Sequence, residues 1–256
     1  MILAIDVGNT NIVIGCLEGD RVLFSERVST KPTNTVLEYL VSFKTLLELY
    51  SIRTEEISGV ILSSVVPPVT QTLTKAVLNL TGKTPLLIGP GIRTGLNIVI
   101  DNPAQLGADL IVNAVAGVKY YGYPLIMIDM GTATTISVVD EKRNYVGGVI
   151  MPGVSISLNA LVSGTAQLPK IGIEAPKKVI GTNTTDCMKS GIVFSQAAAL
   201  DGMIDRMEDE LGYPCAVVAT GGLAGRIVPY CRHEIALDDE LTLKGLGLIY
   251  YKNTEE

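Results

Sequence analysis

The sequence contains no tryptophan, three phenylalanines and one histidine among its 256 residues. Its four cysteines, at positions 16, 187, 215 and 231, are far apart and form no Cys-x-x-Cys pair. This spacing argues against a zinc or iron–sulfur centre and against a disulfide framework. The one histidine, His233, lies among charged residues, where we expect a surface position, and no second histidine is available as a catalytic base.

An excess of positive charge is also lacking, since the formal net charge is −6 and the isoelectric point is about 4.9. Nucleic-acid-binding proteins usually present a basic face, so the charge argues against a nucleic-acid partner. The sequence has neither an uncharged run of 18 apolar residues nor a basic, apolar signal segment. We therefore expect a cytoplasmic protein without a membrane partner, long enough to bury one large core or two smaller ones.

An internal repeat is the most informative feature that is present. The sequence Ile-Leu-Ala-Ile-Asp-Val-Gly-Asn, which begins at Ile2, returns as Leu-Ile-Met-Ile-Asp-Met-Gly-Thr, which begins at Leu125. The repeat places Asp6 and Asp129 at equivalent positions, 123 residues apart, which is nearly half the chain. Each copy is followed by two strand-like runs with turn residues between them, a pattern typical of a hairpin.

The repeat predicts two related α/β halves, at residues 1–115 and 116–256, each with three strands followed by alternating helices and strands. The hairpin strands are predicted at 12–17, 22–28, 134–139 and 145–150. Further strands are predicted at 59–65, 84–88 and 216–219. Helices are predicted at 35–50, 68–80, 106–119, 155–162, 184–211 and 222–231.

The turn after each repeated aspartate has the chemistry that phosphate binding needs. A carboxylate at the end of a buried strand is costly unless it is paired, hydrogen-bonded or near a cation. The glycine two residues later lets the backbone approach a ligand closely. The amide and hydroxyl side chains that follow are Asn9, Thr10, Asn11, Thr132, Thr134 and Thr135. Two such turns facing each other across a cleft would hold a polyphosphate from both sides, with the aspartates near its cations.

A third turn of small residues, Thr220-Gly221-Gly222, follows the predicted strand at 216–219. Its glycines would let a flat group such as a nucleoside approach, although an ordinary strand–helix turn is equally consistent with the pattern. Other nucleotide and hydrolase motifs are missing, because no GxxxxGK[ST], GxSxG or HExxH occurs. The glycines at 89–95 have the wrong spacing for a dinucleotide-binding turn.

Asp109 lies near the start of the predicted helix at 106–119. An aspartate there usually caps the helix or interacts favourably with its dipole. It becomes a candidate catalytic base if a cleft lies at this end of the helix. The sequence leaves both interpretations open.

These motifs resemble those of the superfamily of acetate kinases, sugar kinases, Hsp70 chaperones and actin, and most closely those of the type III pantothenate kinases. The resemblance extends over essentially the whole chain. The motifs that carry it include Asp6-Val7-Gly8-Asn9-Thr10-Asn11, Ser63-Ser64-Val65-Val66-Pro67-Pro68, Gly107-Ala108-Asp109, Gly131-Thr132-Ala133-Thr134-Thr135, Asn183-Thr184 and Thr220-Gly221-Gly222. The resemblance implies a duplicated actin-like ATPase fold, with two ribonuclease-H-like halves around a nucleotide cleft.

The resemblance also implies roles on the nucleotide side of the site. Asp6 would lie near Mg²⁺, and Asp129 would hold a monovalent cation, K⁺ or NH₄⁺. Thr132 would contact ATP, while Gly221 and Gly222 would flank the adenosine. The remaining residues of the ATP phosphate loop would be Val7, Gly8, Asn9, Thr10, Asn11, Ile12 and Val13.

On the substrate side, the resemblance makes Asp109 the base that accepts the proton of the pantothenate hydroxyl. Pantothenate would also contact Gly107, Ala108 and Thr184. Members of the family are dimers with the substrate site near the subunit interface. A homodimer is therefore implied, and a heteromer with a related kinase subunit is the alternative.

Two substrate-site positions depart from the family pattern. Leu110 stands where the family has an arginine, and Ile100 stands where it has a tyrosine. Losing a charged donor to an anionic substrate typically costs about 1.5–3 kcal/mol, or roughly 10- to 150-fold in binding. The ATP-side motifs are intact.

The expected function is ATP-dependent phosphorylation of pantothenate to 4′-phosphopantothenate, the first step of coenzyme A biosynthesis. The alternative is a catalytically weak paralogue that binds nucleotide and serves as a partner or regulatory subunit of an active pantothenate kinase. A kinase for a less anionic alcohol is a third interpretation.

Overall fold

A computed structural model describes residues 1–254 as a mixed α/β structure. The strands are β1 (Ile2–Val7), β2 (Asn11–Glu18), β3 (Arg21–Ser29), β4 (Gly59–Ser64), β5 (Leu86–Leu87), β6 (Asn97–Ile98), β7 (Leu125–Met130), β8 (Ala133–Val139), β9 (Asn144–Pro152), β10 (Ala216–Thr220) and β11 (Ala236–Leu237). The α-helices are α1 (Val36–Leu49), α2 (Pro67–Thr81), α3 (Ala108–Tyr121), α4 (Val154–Ser163), α5 (Thr184–Leu211), α6 (Ala224–Ile227) and α7 (Leu241–Thr254). Residues 255 and 256, which the predicted C-terminal half includes, lie outside the described residues.

Two sheets share one strand order. The first sheet runs β3-β2-β1-β4-β5, with β1 antiparallel to β2 and parallel to β4. The second sheet contains the order β9-β8-β7-β10-β11, with β7 antiparallel to β8 and parallel to β10, and β6 is added beside β9. The repeated order confirms the prediction of two ribonuclease-H-like halves, because both copies of the Asp-containing strand occupy the central position.

Packing divides the chain into two compact units. The first comprises residues 1–96, residues 101–116 and the segment that starts at Glu240. The second comprises residues 97–100 and 117–239. In this division the C-terminal segment packs with the N-terminal residues. The predicted boundary between residues 115 and 116 stays a prediction.

Strand β1 is apolar along most of its length because the first unit buries both of its faces. One face packs with α1 and α2 in a cluster that includes Leu3, Ile5, Val7, Phe43 and Leu73. The other face packs with α7 and α3 in a cluster that includes Ile2, Ala4, Ile61, Val112, Leu243, Leu246 and Ile249. Near-continuous hydrophobic runs are typical of strands covered on both sides.

The sequence pattern does not predict helix α7, because two glycines lie within it. Gly245 and Gly247 lie inside the helix, where glycine lowers helix propensity by about 1 kcal/mol. A Cβ atom at Gly245 would overlap the carbonyl oxygen of Val112 on α3, and one at Gly247 would approach Leu17. The glycines are therefore needed for close packing, although in the sequence they resemble helix breakers.

The second unit has its own core, built from β7, β8, α4 and α5. Helix α5 matches its predicted bounds and is capped by Asn183, whose side chain accepts a hydrogen bond from the backbone N–H of Asp186. The helix predicted at 222–231 is wrong in length, because α6 ends at Ile227 and a 3₁₀ turn containing Pro229 follows it. Within residues 1–254, no helix is both long and apolar enough to cross a membrane.

Candidate functional site

The β1–β2 turn carries the predicted phosphate loop in the first unit. The backbone N–H of Gly8 donates to the carbonyl oxygen of Asn11 at 3.0 Å, which closes the turn. Thr30, at the end of β3, fixes the turn from outside, since its hydroxyl donates to the carbonyl of Gly8 at 2.7 Å and its N–H donates to the carbonyl of Thr10 at 2.9 Å. Val7 and Ile12 on either side of the turn are buried, whereas the side chains of residues 9–11 are exposed. These hydrogen bonds therefore fix the conformation of the turn.

Asp6 is half-buried near the carboxyl end of β1. Its neighbours across the sheet are Val13 on the antiparallel strand β2 and Ser63 on the parallel strand β4. Ligands of open α/β sheets bind beyond the carboxyl ends of such strands. The carboxylate therefore has the position that a cation ligand at this edge needs.

The β7–β8 turn carries the second predicted site in the second unit. Asp129 is half-buried near the end of β7, and Gly131 and Thr132 form the exposed tip of the turn. A Cβ atom at Gly153, just after β9, would overlap the carbonyl oxygen of Thr132. Gly153 therefore lets the backbone that leads into α4 pass directly beside this turn.

The third predicted turn lies against the second one. Gly221 follows β10 with a φ of +97°, a conformation that side chains rarely adopt. A Cβ atom there would lie 2.6 Å from the backbone nitrogen of Met130 and 2.7 Å from a carboxylate oxygen of Asp129. The structure thus brings the Gly221–Gly222 turn and Asp129 together, whereas an orientation of the Asp6 turn towards them stays a prediction.

Asp109 lies in the first turn of α3 and is half-buried. The backbone N–H of Leu110 donates to its Oδ1 at 2.9 Å. Burial raises the pKa of the Asp109 carboxyl, and the hydrogen bond from Leu110 opposes this rise in part. Gly107 approaches the carboxylate so closely that a Cβ atom would overlap Oδ1. A carboxyl with a raised pKa is typical of proton-transfer groups.

The remaining substrate-site candidates occupy different elements. Ala108 opens α3, and Leu110 is half-buried on the same helix. In the second unit, Ile100 follows β6, which Val99 anchors by donating its N–H to the carbonyl of Tyr145 at 2.8 Å. Thr184 is exposed at the first position of α5. A common binding site for these residues stays a prediction.

Each of the two turns offers oxygen atoms that suit a cation bound together with a ligand. Among residues 1–254, no group of three or more Asp, Glu, His or Cys side chains could hold a metal ion by itself. Mg²⁺ usually binds one or two carboxylates together with substrate phosphates and water, not an all-protein cage. A single carboxylate such as Asp6 fits this mode, and Asp129 with the hydroxyls and carbonyls of its turn suits an oxygen-coordinated monovalent cation.

Comparison with known proteins places the chain in a family. The model of the type III pantothenate kinase family matches residues 2–206. A type III pantothenate kinase from an Exiguobacterium species is 47% identical over 253 residues, which cover 99% of each chain. The chain belongs to the type III pantothenate kinase family. The predicted family is thereby confirmed, and the chain spans the full length of this relative.

Solved structures agree on the fold. A Campylobacter jejuni protein described as a Baf family transcriptional activator matches with a TM-score of 0.61 and 18% identity, over 100% of both chains. Component A of the (R)-2-hydroxyglutaryl-CoA dehydratase from Acidaminococcus fermentans matches with a TM-score of 0.59 and 16% identity, over 100% of this chain and 99% of that one. At these identities the likeness concerns the fold alone, and it supports the duplicated actin-like ATPase fold.

Proposed function

We propose that the chain transfers the γ-phosphoryl group of ATP to the primary hydroxyl of pantothenate, forming 4′-phosphopantothenate for coenzyme A biosynthesis. The observation that carries the proposal is full-length similarity to a type III pantothenate kinase at 47% identity. The half-buried Asp109 carboxyl, with its raised pKa, supports it because the transfer needs a proton acceptor at the substrate hydroxyl.

The two Asp-Gly turns hold the nucleotide in this proposal. Backbone amides and side chains between Asp6 and Val13 bind the phosphates, because the turn is fixed by Thr30 and needs little reorganisation. Thr132 contacts the phosphates from the second turn. Gly221 and Gly222 leave room for the adenosine, since neither carries a side chain.

Asp6 holds Mg²⁺, and Asp129 holds a K⁺ or NH₄⁺ ion. These cations neutralise charge on the phosphate oxygens when the nucleotide is bound. Asp109 accepts the proton of the pantothenate hydroxyl. Gly107, Ala108 and Thr184 orient the substrate, with Leu110 and Ile100 at its edge. In-line transfer depends mainly on this positioning and on charge neutralisation.

A coupled assay of ADP release tests the proposed function on the purified chain alone. We expect ADP release that requires both Mg²⁺ and pantothenate. A chain that releases no ADP with pantothenate, yet binds an ATP analogue, would contradict the enzyme function. ADP release with an uncharged alcohol and not with pantothenate would instead favour the less anionic substrate.

The second candidate function is that of a nucleotide-binding partner or regulatory subunit, and the apolar side chains of Leu110 and Ile100 favour it. We propose a homodimer for the enzyme and a heteromer with a related kinase chain for the partner. Mixing the chain with a related active kinase distinguishes the two functions. A change in that kinase's kcat or KM supports the partner function, and additive rates support the independent enzyme.

Restoring the family residues is expected to improve substrate capture. The double variant Leu110→Arg with Ile100→Tyr should lower the KM for pantothenate by roughly 10- to 150-fold, with kcat less affected, because a guanidinium adds a charged hydrogen bond to the substrate carboxylate. Steady-state kinetics at saturating ATP measures this change. Leu110→Met is the matched control, since it keeps an apolar side chain of similar size. An equal KM in the double variant and the wild type would show that these two positions do not contact pantothenate.

Removing the nucleotide contacts should weaken binding strongly. Asp6→Ala together with Thr132→Ala should reduce the affinity for a non-hydrolysable Mg²⁺–ATP analogue by at least about tenfold, because a hydrogen bond or ion contact to a charged group contributes about 1.5–3 kcal/mol. Calorimetry with and without Mg²⁺ measures the effect. Asp20→Ala, in the exposed β2–β3 turn, serves as the control. Unchanged affinity in the double variant would mean that the nucleotide binds elsewhere.

A further inference from the structure

Ser63 lies beside the predicted magnesium ligand in the first sheet. Strands β1 and β4 are parallel, and their register pairs Asp6 with Ser63. Side chains alternate between the faces of a strand, and Ile61 packs in the same cluster as Ile2 and Ala4. Asp6 and Ser63 therefore lie side by side on one face of the sheet, at the end where the phosphate loop begins.

The Ser63 hydroxyl is fully buried, and within residues 1–254 it has no hydrogen-bond partner. Leaving a buried hydroxyl without a hydrogen bond is unfavourable, so a native protein seldom keeps one without a use. The next residue gives the contrast, because the Ser64 hydroxyl accepts from the N–H of Val66 at 3.1 Å and contacts the hydroxyl of Thr70 at 2.8 Å. Ser64 thus has a structural role that Ser63 lacks.

The second sheet places a hydroxyl residue at the equivalent position. Strands β7 and β10 are parallel, and their register pairs Asp129 with the buried residue Thr220. The two halves share strand order, so Ser63 corresponds to Thr220 as Asp6 corresponds to Asp129. A hydroxyl directly beside each strand-end aspartate is therefore a feature of both halves.

We propose that Ser63 is a positioning residue of the nucleotide site, whose hydroxyl gains its missing hydrogen bond from an oxygen that arrives with the magnesium nucleotide. This inference rests on the proposed function, and it adds Ser63 to the residues that surround the phosphates in the nucleotide site. The oxygen belongs either to a water molecule of the Mg²⁺ ion held by Asp6 or to a phosphate. In both cases the hydroxyl is an unsatisfied group in the free protein and a satisfied one in the complex.

Removing the Ser63 hydroxyl should affect stability and nucleotide binding in opposite directions. Ser63→Ala should raise the melting temperature of the ligand-free chain by about 2–4 °C, because it removes a buried polar group that bonds to nothing. The same variant should weaken binding of a non-hydrolysable ATP analogue with Mg²⁺ by about tenfold, because the complex loses a hydrogen bond to a charged assembly. Ser63→Thr retains the hydroxyl, so it should keep more affinity than Ser63→Ala, although its added methyl group at a fully buried position should lower the melting temperature.

Thermal unfolding and calorimetry of the full chain test the inference, with Ser64→Ala as the matched control. The control should lower the melting temperature, since it breaks hydrogen bonds of the folded chain. Weaker binding of the Ser63→Ala variant only when Mg²⁺ is present would identify the cation's water as the partner. Equal weakening with and without Mg²⁺ would identify a phosphate oxygen.

Affinity equal to that of the wild type in Ser63→Ala would overturn the inference while leaving the proposed function intact, provided that Asp6→Ala together with Thr132→Ala weakens Mg²⁺-dependent binding. A wild-type chain that binds no nucleotide would overturn the proposed function and this inference together.

Discussion

Asp109→Asn is expected to lower kcat for pantothenate phosphorylation by roughly 10²–10⁴-fold, which is the usual cost of losing a general base. Asparagine nearly preserves the shape of the side chain but cannot accept the proton of the substrate hydroxyl. The same substitution should raise the free energy of unfolding at neutral pH, because it removes a charge whose burial raises the pKa of Asp109. Steady-state kinetics and denaturant unfolding measure the two effects.

The control for this substitution is Asp101→Asn, which changes an exposed aspartate nearby in the chain and should alter neither quantity. A loss of activity accompanied by lower stability would indicate that Asp109 maintains the fold of the α3 start, as a helix-capping aspartate does. Unchanged kcat would eliminate Asp109 as the base.

The pH dependence follows from the same raised pKa. Because folding raises the pKa of Asp109 above its unfolded value, the stability cost of its ionisation is absent below the unfolded value and complete above the folded one. The stability advantage of Asp109→Asn should therefore shrink as the pH falls through the folded pKa. Activity of the wild type should fall over the same range, since the base becomes protonated. Unfolding and kinetics measured across the acidic range provide the test.

Gly221→Ala should destabilise the chain by about 2–5 kcal/mol. A positive φ costs an alanine about 1–2 kcal/mol, and the added Cβ atom must also displace the backbone of Met130 and the carboxylate of Asp129, an overpacking cost of about 1–3 kcal/mol. Denaturant unfolding measures the change. The displacement should also weaken nucleotide binding, because the Asp129 turn loses its geometry.

Gly212→Ala separates the two contributions. Gly212 ends α5 with a φ of +81°, and a Cβ atom there would meet nothing within 4 Å. We expect this variant to lose only the about 1–2 kcal/mol of backbone strain and to bind nucleotide as the wild type does. Equal losses of stability in the two variants would show that the contact between Gly221 and the Asp129 turn is unimportant.

The architecture could be predicted largely because one motif occurs twice. Asp6 and Asp129, each followed by glycine and a hairpin, implied two related α/β halves, and the strand order shared by both sheets confirms this prediction. Helix α5 also has its predicted bounds, and in the structure the Asn183 cap and Gly212 mark its ends. Family membership followed from the same motifs and is confirmed by the full-length match.

Other features depend on tertiary contacts that no local pattern encodes. The sequence did not predict α7, because Gly245 looks like a helix breaker. The glycine is needed there because the backbone of α3, more than 100 residues earlier in the chain, packs against it. Strands β6 and β11 have only two residues each, too few for a periodic pattern. Thr30 gave no signal either, since its function of holding the Gly8 turn becomes visible only when β3 lies beside that turn.

The composition of the first unit has a consequence for how the chain folds during synthesis. Leu243, Leu246 and Ile249 of α7 complete the apolar cluster on one face of β1. Protein domains usually fold as the ribosome delivers them, the N-terminal one first. Here the N-terminal sheet has an uncovered apolar face until α7 has emerged, so the second unit can finish folding first. The first unit is therefore expected to complete its core only after α7 has been synthesised.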